Sequence, residues 1–396
     1  GGGAAAQATQ VLSERVRELG TRNFNARDIS LVYLALGRMR TRPDEGLQAL
    51  LEERASALVH YFSPEGLSSL IWAHATLTMR IDPGLKGVLM DRVRAIFTKD
   101  NKFDERVCGR MLYSLAVLGE RDNLDVCRDL IYQLVEDDRE ALRRYSDDGL
   151  ASLLWSIAKL DCSIPDGLPE EIVRMIVDKR AVKSGGDAVK LVWAVGMFVQ
   201  RKKLKGTIVD EILQVADGMA CQAVPRLSFR PALDALAAAP NLHRHISEGY
   251  VQALFERMHP TIPTLNATQI TATLLAYAKL SQTRAEFVEA LLARIDTMAG
   301  DSRDKTASDP TMVLAAKHYA AVITALSKMK RAPRAIVLDG LLVALREESG
   351  ECSMRTVSTV LSGLGRIERG LRTKGLNGME EGLLLNVLTA LEARLL

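Results

Sequence analysis

The sequence predicts an all-α fold, an α-solenoid of about nine helical hairpins with a period near 40 residues. Three observations lead there. Leu, Ala, Arg and Glu dominate the 396 residues, aromatics are only 5%, and alternating β-branched runs are rare, which favours helix over strand. The phrase LLWSIAKL, residues 153–160, returns in looser copies along the chain, among them LIWAHATL, MLYSLAVL, LVWAVGMF and LLAYAKL. All three tryptophans fall in one column of that phrase.

Taking Trp155 as column zero, the equivalent positions are Leu34, Trp72, Tyr113, Trp155, Trp193, Asp234, Leu275, Thr324 and Ser362, spaced by 38, 41, 42, 38, 41, 41, 49 and 38 residues. The residues one and three places later are small in every copy, and those one before and five after are apolar. On a helix turning about 100° per residue this makes a wide apolar arc with a small residue on each flank. Such flanks let the first helix of each hairpin, the A helix, approach its neighbours closely.

In chain order, residues 1–20 form a poorly defined N-terminal segment. They open on GGGAAAQATQ with no initiator Met, as expected of a mature product freed of its targeting peptide or of an added tail. Residues 21–396 are expected to form one repeat domain. Ser63, Asp104, Ser146, Ser184 and Ser353 are start signals for A helices. Amphipathic B helices follow each phrase, for example in GLQALLEERASALV and FVEALLARIDTM. The sixth copy, RPALDALAAAP, is degenerate. The long spacing of 49 is assigned to GDSRDKTASDP near 300–310, a polar insertion read as a loop. VSTVLSGLGRI and MEEGLLLNVLTALEARLL are read as the last hairpin.

Columns −7, −3, 0 and +4 share the A-helix face opposite the apolar arc. Across nine copies these 36 positions hold eleven basic residues, Arg27, Arg38, Arg106, Arg110, Lys159, Lys190, Lys279, Lys317, Lys328, Arg355 and Arg366, against three acidic ones. The face is +8 and the rest of the chain −5, so a net charge of +3 hides a segregation. Trp72, Tyr113, Trp155 and Trp193 stand in its middle, and Arg201, Lys202 and Lys203 in QRKKLKG extend it. A basic groove with interleaved aromatics suits single-stranded nucleic acid, because cations release counterions from phosphates and rings stack on bases. The competing explanation is local: the column +4 cations sit in a last helical turn, where the macrodipole favours them by about 0.3–1 kcal/mol without any ligand.

LLWSIAKL, LIWAHATL and LLAYAKL resemble the L-W-A-x-A-K-L core of the octatricopeptide and heptatricopeptide repeat families, over residues 25–396 or nearly so. The resemblance implies an α-solenoid of mitochondria or, as the lesser alternative, chloroplasts and related plastids. It implies RNA binding, RNA maturation or translation, and in some members a structural place in mitochondrial ribosomes, against rRNA and other proteins. Many relatives end in a RAP domain, which the C-terminal sequence here does not resemble.

Nothing in the sequence points to catalysis. There is no P-loop, no strand-led glycine fingerprint and no nucleophile with a base at a telling spacing. The five dispersed cysteines read as reduced core thiols. No metal, cofactor, small-molecule substrate or membrane span is expected. Three functions stay open: a ribosomal RNA-binding component, a trans-acting RNA maturation or translation factor, and a protein scaffold without RNA.

Overall fold

The computed structural model describes residues 23–97, 103–135, 140–180, 182–242, 245–280, 284–304, 309–347 and 353–372, with isolated positions nearer both ends. Among the described residues every regular element is helical. In chain order these are α1 (Ala26–Met39), α2 (Glu45–Ala57), α3 (Pro64–Thr76), α4 (Pro83–Phe97), α5 (Glu105–Leu118) and α6 (Leu124–Val135). Then come α7 (Glu140–Arg143), α8 (Asp147–Leu160), α9 (Leu168–Asp178), α10 (Gly185–Gln200), α11 (Thr207–Ala223) and α12 (Phe229–Ala238). The last are α13 (Glu248–Met258), α14 (Ala267–Tyr277), α15 (Ala285–Asp304), α16 (Ala316–Met329), α17 (Ala335–Glu347) and α18 (Met354–Arg372). The A helices are α1, α3, α5, α8, α10, α12, α14, α16 and α18. Each of the first eight is followed by a B helix, and α7 is one extra turn ahead of α8.

Local chemistry marks the start of eight of the nine A helices; at α12 the N-cap Ser228 makes no side-chain hydrogen bond. The side chains of Asn25, Ser63, Asp104, Ser146, Ser184, Asn266 and Ser353 each accept the backbone N–H three residues on, at 2.6–3.3 Å. Such a cap contributes about 1 kcal/mol. At α16 the N-cap is Ala315, which has no acceptor. There the His318 ring accepts the Ala315 N–H at Nδ1 instead, at 3.1 Å.

A second recurring device closes the hairpins. The backbone carbonyl just ahead of the cap accepts a hydrogen bond from the following B helix. Arg54 donates to Phe24, Gln133 to Phe103 and Arg257 to Leu227, at 2.9, 2.6 and 2.6 Å. Arg92, Lys179 and Arg294 do the same to Phe62, Tyr145 and Leu265 at 3.3–3.4 Å. The chain entry into these six A helices is thereby tied to its own hairpin.

The helices group into two compact units, Gly1–Ala216 and Asp217–Leu396. In the first, α1, α3, α5, α8 and α10 pack side by side in sequence. In the second, α12, α14, α16 and α18 do so. The small residues flanking the apolar arc make this possible. A Cβ on Gly37 would lie 2.6 Å from the Trp72 ring of the next A helix, and one on Gly363 would lie 2.6 Å from Ile323 Cγ2 of the preceding one. Column +3 therefore faces forward and column +1 backward along the stack.

Two expectations need correction. In the sixth repeat Ser228 is the N-cap, nine residues ahead of Ala237, the offset that separates Ser63 from Trp72 and Ser146 from Trp155. Column zero is Ala237, and Asp234 falls at column −3. The buried pattern agrees, with Ala232, Leu236 and Ala239 at 0–1% exposure where other repeats bury their core residues. The polar run 300–310 is not all loop either. α15 continues to Asp304, because Ser, Arg and Asp cost a helix less than about 1 kcal/mol each and do not break it. The remainder of that run to 308, the N-terminal segment for the most part, His243 and the second helix of the final hairpin lie outside the described residues.

Candidate nucleic-acid interface

The structure sorts the expected site residues into three groups. Arg27, Arg38, Arg106, Arg110, Lys279, Lys317, Lys328, Arg355 and Arg366 are exposed on the two rims of the A-helix face. The corrected register adds Arg230 to the rim, held 3.3 Å from Asp234 Oδ1 in a surface ion pair. Among the described residues no ion pair engages Lys279, Lys317, Lys328, Arg355 or Arg366.

The second group is the aromatic column. Its rings are not spread open for a ligand. Tyr113 and Trp155 have ring centroids 5.5 Å apart, and Trp155 and Trp193 lie 6.2 Å apart, tilted 45° and 52°. Trp193 is 7% exposed, and Trp72 is pressed on the bare Cα side of Gly37. Lys159 Nζ sits 5.1 Å from the Trp193 ring centroid, and Lys190 Nζ 5.2 Å from that of Tyr113. Lys190 also pairs with Asp187 at 3.3 Å. The expectation that Trp193 offers a free face to a base is therefore corrected. Sequence spacing put the rings in one column. Their contact follows from close A-helix approach, which brings successive rings into van der Waals range and leaves Trp72, Tyr113 and Trp155 half-buried.

The third group turns away. Arg201 donates to the Ala158 carbonyl at 2.8 Å and pairs with Asp161 at 3.1 Å, so it closes the C-terminus of α8 and does not extend the basic face. Its side chain is 20% exposed, and burial pulls its pKa down against the pull of Asp161. Lys202 and Lys203 beside it are exposed.

One feature of the rims was not legible as a motif. Column −7 is the second residue of each A helix. Arg27, Arg106, Arg230, Lys317 and Arg355 stand there, two residues after the caps Asn25, Asp104, Ser228, Ala315 and Ser353, and of these Arg230 is paired with Asp234. The macrodipole disfavours a cation in a first turn by about the 0.3–1 kcal/mol that it favours one in a last turn. Glu65 in the same column of the second repeat is the residue helix chemistry would choose. The local explanation for column +4 therefore fails at column −7.

Several titratable groups away from this face are buried and structural. Burial pushes the Cys108 thiol well up and the Cys127 thiol up to about 12, which leaves both as inert protonated thiols. Cys352 lies outside the described residues. His74 is fully buried, with Nδ1 3.0 Å from the Leu70 carbonyl and Nε2 3.2 Å from Glu52 Oε1. Burial alone would raise the Glu52 carboxyl; hydrogen bonds from His74 and Gln48 outweigh it and hold it low.

Among the described residues no three His, Cys, Asp or Glu side chains form a cluster able to hold a metal ion, and no helix is long and apolar enough to cross a membrane. No protein-family model matches the chain, and no curated protein sequence matches it.

Proposed function

We propose that this chain is an organellar RNA-binding helical-repeat protein, a non-enzymatic component of a mitochondrial ribosome that holds rRNA against the A-helix face. The observation that carries the RNA reading is the set of exposed cations at the second helical residue, Arg27, Arg106, Lys317 and Arg355. Each is unfavourable to its own helix, and a polyanion supplies the compensating charge. The organelle and the ribosome rest on the resemblance of LLWSIAKL and its copies to octatricopeptide and heptatricopeptide repeats. Neighbouring proteins of the assembly are the expected further partners.

A protein scaffold without RNA is the second reading. It is favoured by Leu31 and Val117, which leave 53% and 36% of their surface exposed on the same face.

Ultraviolet crosslinking of the native protein, with identification of both peptide and RNA, separates the readings. Ribosomal RNA on peptides of α16 or α18 is the expected result. Crosslinks to a single messenger would make the chain a maturation or translation factor using the same face. A large assembly with no RNA above background would overturn the RNA reading in favour of the scaffold.

A further inference from the structure

We infer that the A-helix face of the second unit grips RNA by its sugar–phosphate backbone and does not read its bases; this rests on the RNA reading above. Repeat proteins that read one base per repeat need accessible, varied side chains at mid-face to pair with base edges or stack on them. The second unit lacks these. Its column zero is Ala237, Leu275, Thr324 and Ser362, without an aromatic ring, amide or guanidinium. The Thr324 hydroxyl donates to the Ala320 carbonyl at 2.8 Å, and that of Thr359 to the Arg355 carbonyl at 2.7 Å. Their protons are spent on their own helices.

The rims carry what mid-face lacks. Lys317 and Lys328 are eleven residues apart on α16, as are Arg355 and Arg366 on α18. Eleven residues make about three turns and about 16 Å, so each pair brackets one face of its helix. Gly363 against Ile323 brings α16 and α18 close together, and packed helix axes lie about 8–10 Å apart. Four exposed cations thus mark the corners of a patch of about 16 by 8–10 Å, with small and half-buried side chains as its floor. Lys279, in the turn just past the end of α14, extends one edge. Long cationic arms over a low floor make a trough with charge on both sides and nothing to stack on. A ligand whose negative charges repeat regularly along a flexible strand fits it.

The test is fluorescence anisotropy with the full chain and three labelled 20-mers: oligouridine, oligoadenine, and an abasic strand with the same phosphates. Polyglutamate serves as a non-nucleic polyanion. Affinities for the three strands are expected to agree within about threefold, since losing a single stacked base would cost about fivefold or more. The K317Q/K328Q/R355Q/R366Q variant should weaken all three alike. A loss above about tenfold on the abasic strand would overturn backbone recognition while leaving RNA binding in place. Full affinity in the variant would overturn the trough. Polyglutamate binding without RNA binding would overturn both the inference and the reading beneath it.

Discussion

The two units are built from the same hairpin and treat the same face differently. In the first, column zero holds Leu34, Trp72, Tyr113, Trp155 and Trp193; the last three pack ring to ring, with Lys159 and Lys190 laid over them. In the second, column zero shrinks to Ala237, Leu275, Thr324 and Ser362, and the rim cations Lys279, Lys317, Lys328, Arg355 and Arg366 lack carboxylate partners among the described residues, while Arg230 pairs with Asp234. An aromatic column with interleaved lysines looks in sequence like a binding surface. In three dimensions most of it is interhelical packing. The half of the molecule with the plainer sequence keeps its exposed cations without an aromatic column between them.

The comparison breaks first if the second unit's rim is dispensable. Reversing Lys317, Lys328, Arg355 and Arg366 to Glu should weaken RNA binding on the order of a thousandfold at low salt, read by anisotropy. Stability should barely move, because acids gain at the first-turn sites Lys317 and Arg355 and lose at Lys328 in the last turn of α16, while Arg366 lies inside α18 away from either end. The first unit should respond in the opposite way. Trp155→Ala should cost about 2–4 kcal/mol in urea unfolding, through the void left between Tyr113 and Trp193, and change RNA affinity less than about threefold. A large affinity loss at full stability would return the rings to the ligand.

Gly37→Val tests the packing behind that column. A side chain growing into the Trp72 ring should cost about 1–3 kcal/mol by thermal or urea unfolding.

The smallest effect belongs to the second unit. Burial, aided by Lys317, holds the His318 imidazole below its ordinary value, and its Nδ1 must stay unprotonated to accept the Ala315 N–H. The unfolded chain takes up the proton first, so stability is fully present above about 6.5 and declines as pH falls below it. Urea unfolding at pH 7.5 and 5.5 should show a modest drop that His318→Gln removes.

What could be read from sequence was mostly local. Ser63, Asp104, Ser146, Ser184 and Ser353 cap their helices as expected, because a cap needs only a hydroxyl or carboxylate and a backbone three residues on. The small flanks were legible because close packing excludes anything larger. The sixth repeat was misread because Leu233, Ala235, Leu236 and Ala238 satisfy two registers three residues apart, and residues at i and i+3 share a face. Only the position of Ser228 decides between them. The ties from Arg54, Gln133 and Arg257 to the chain entry about 30 residues earlier went unseen, since a charged or amide side chain on a B helix reads as solvated. The burial of Trp193 and the turn of Arg201 onto α8 depend on neighbouring repeats, which no window along one helix contains.

The most direct test of the charged face is the salt dependence of RNA binding, measured for the wild type and the K317Q/K328Q/R355Q/R366Q variant with the same single strand. Each phosphate neutralised contributes about 0.7 to the slope of log affinity against log salt. If all four cations meet phosphates, the variant's slope should be shallower by about 2.8. An unchanged slope would mean that these cations meet no phosphate, and the basic rim of the second unit would then be only a solvated surface.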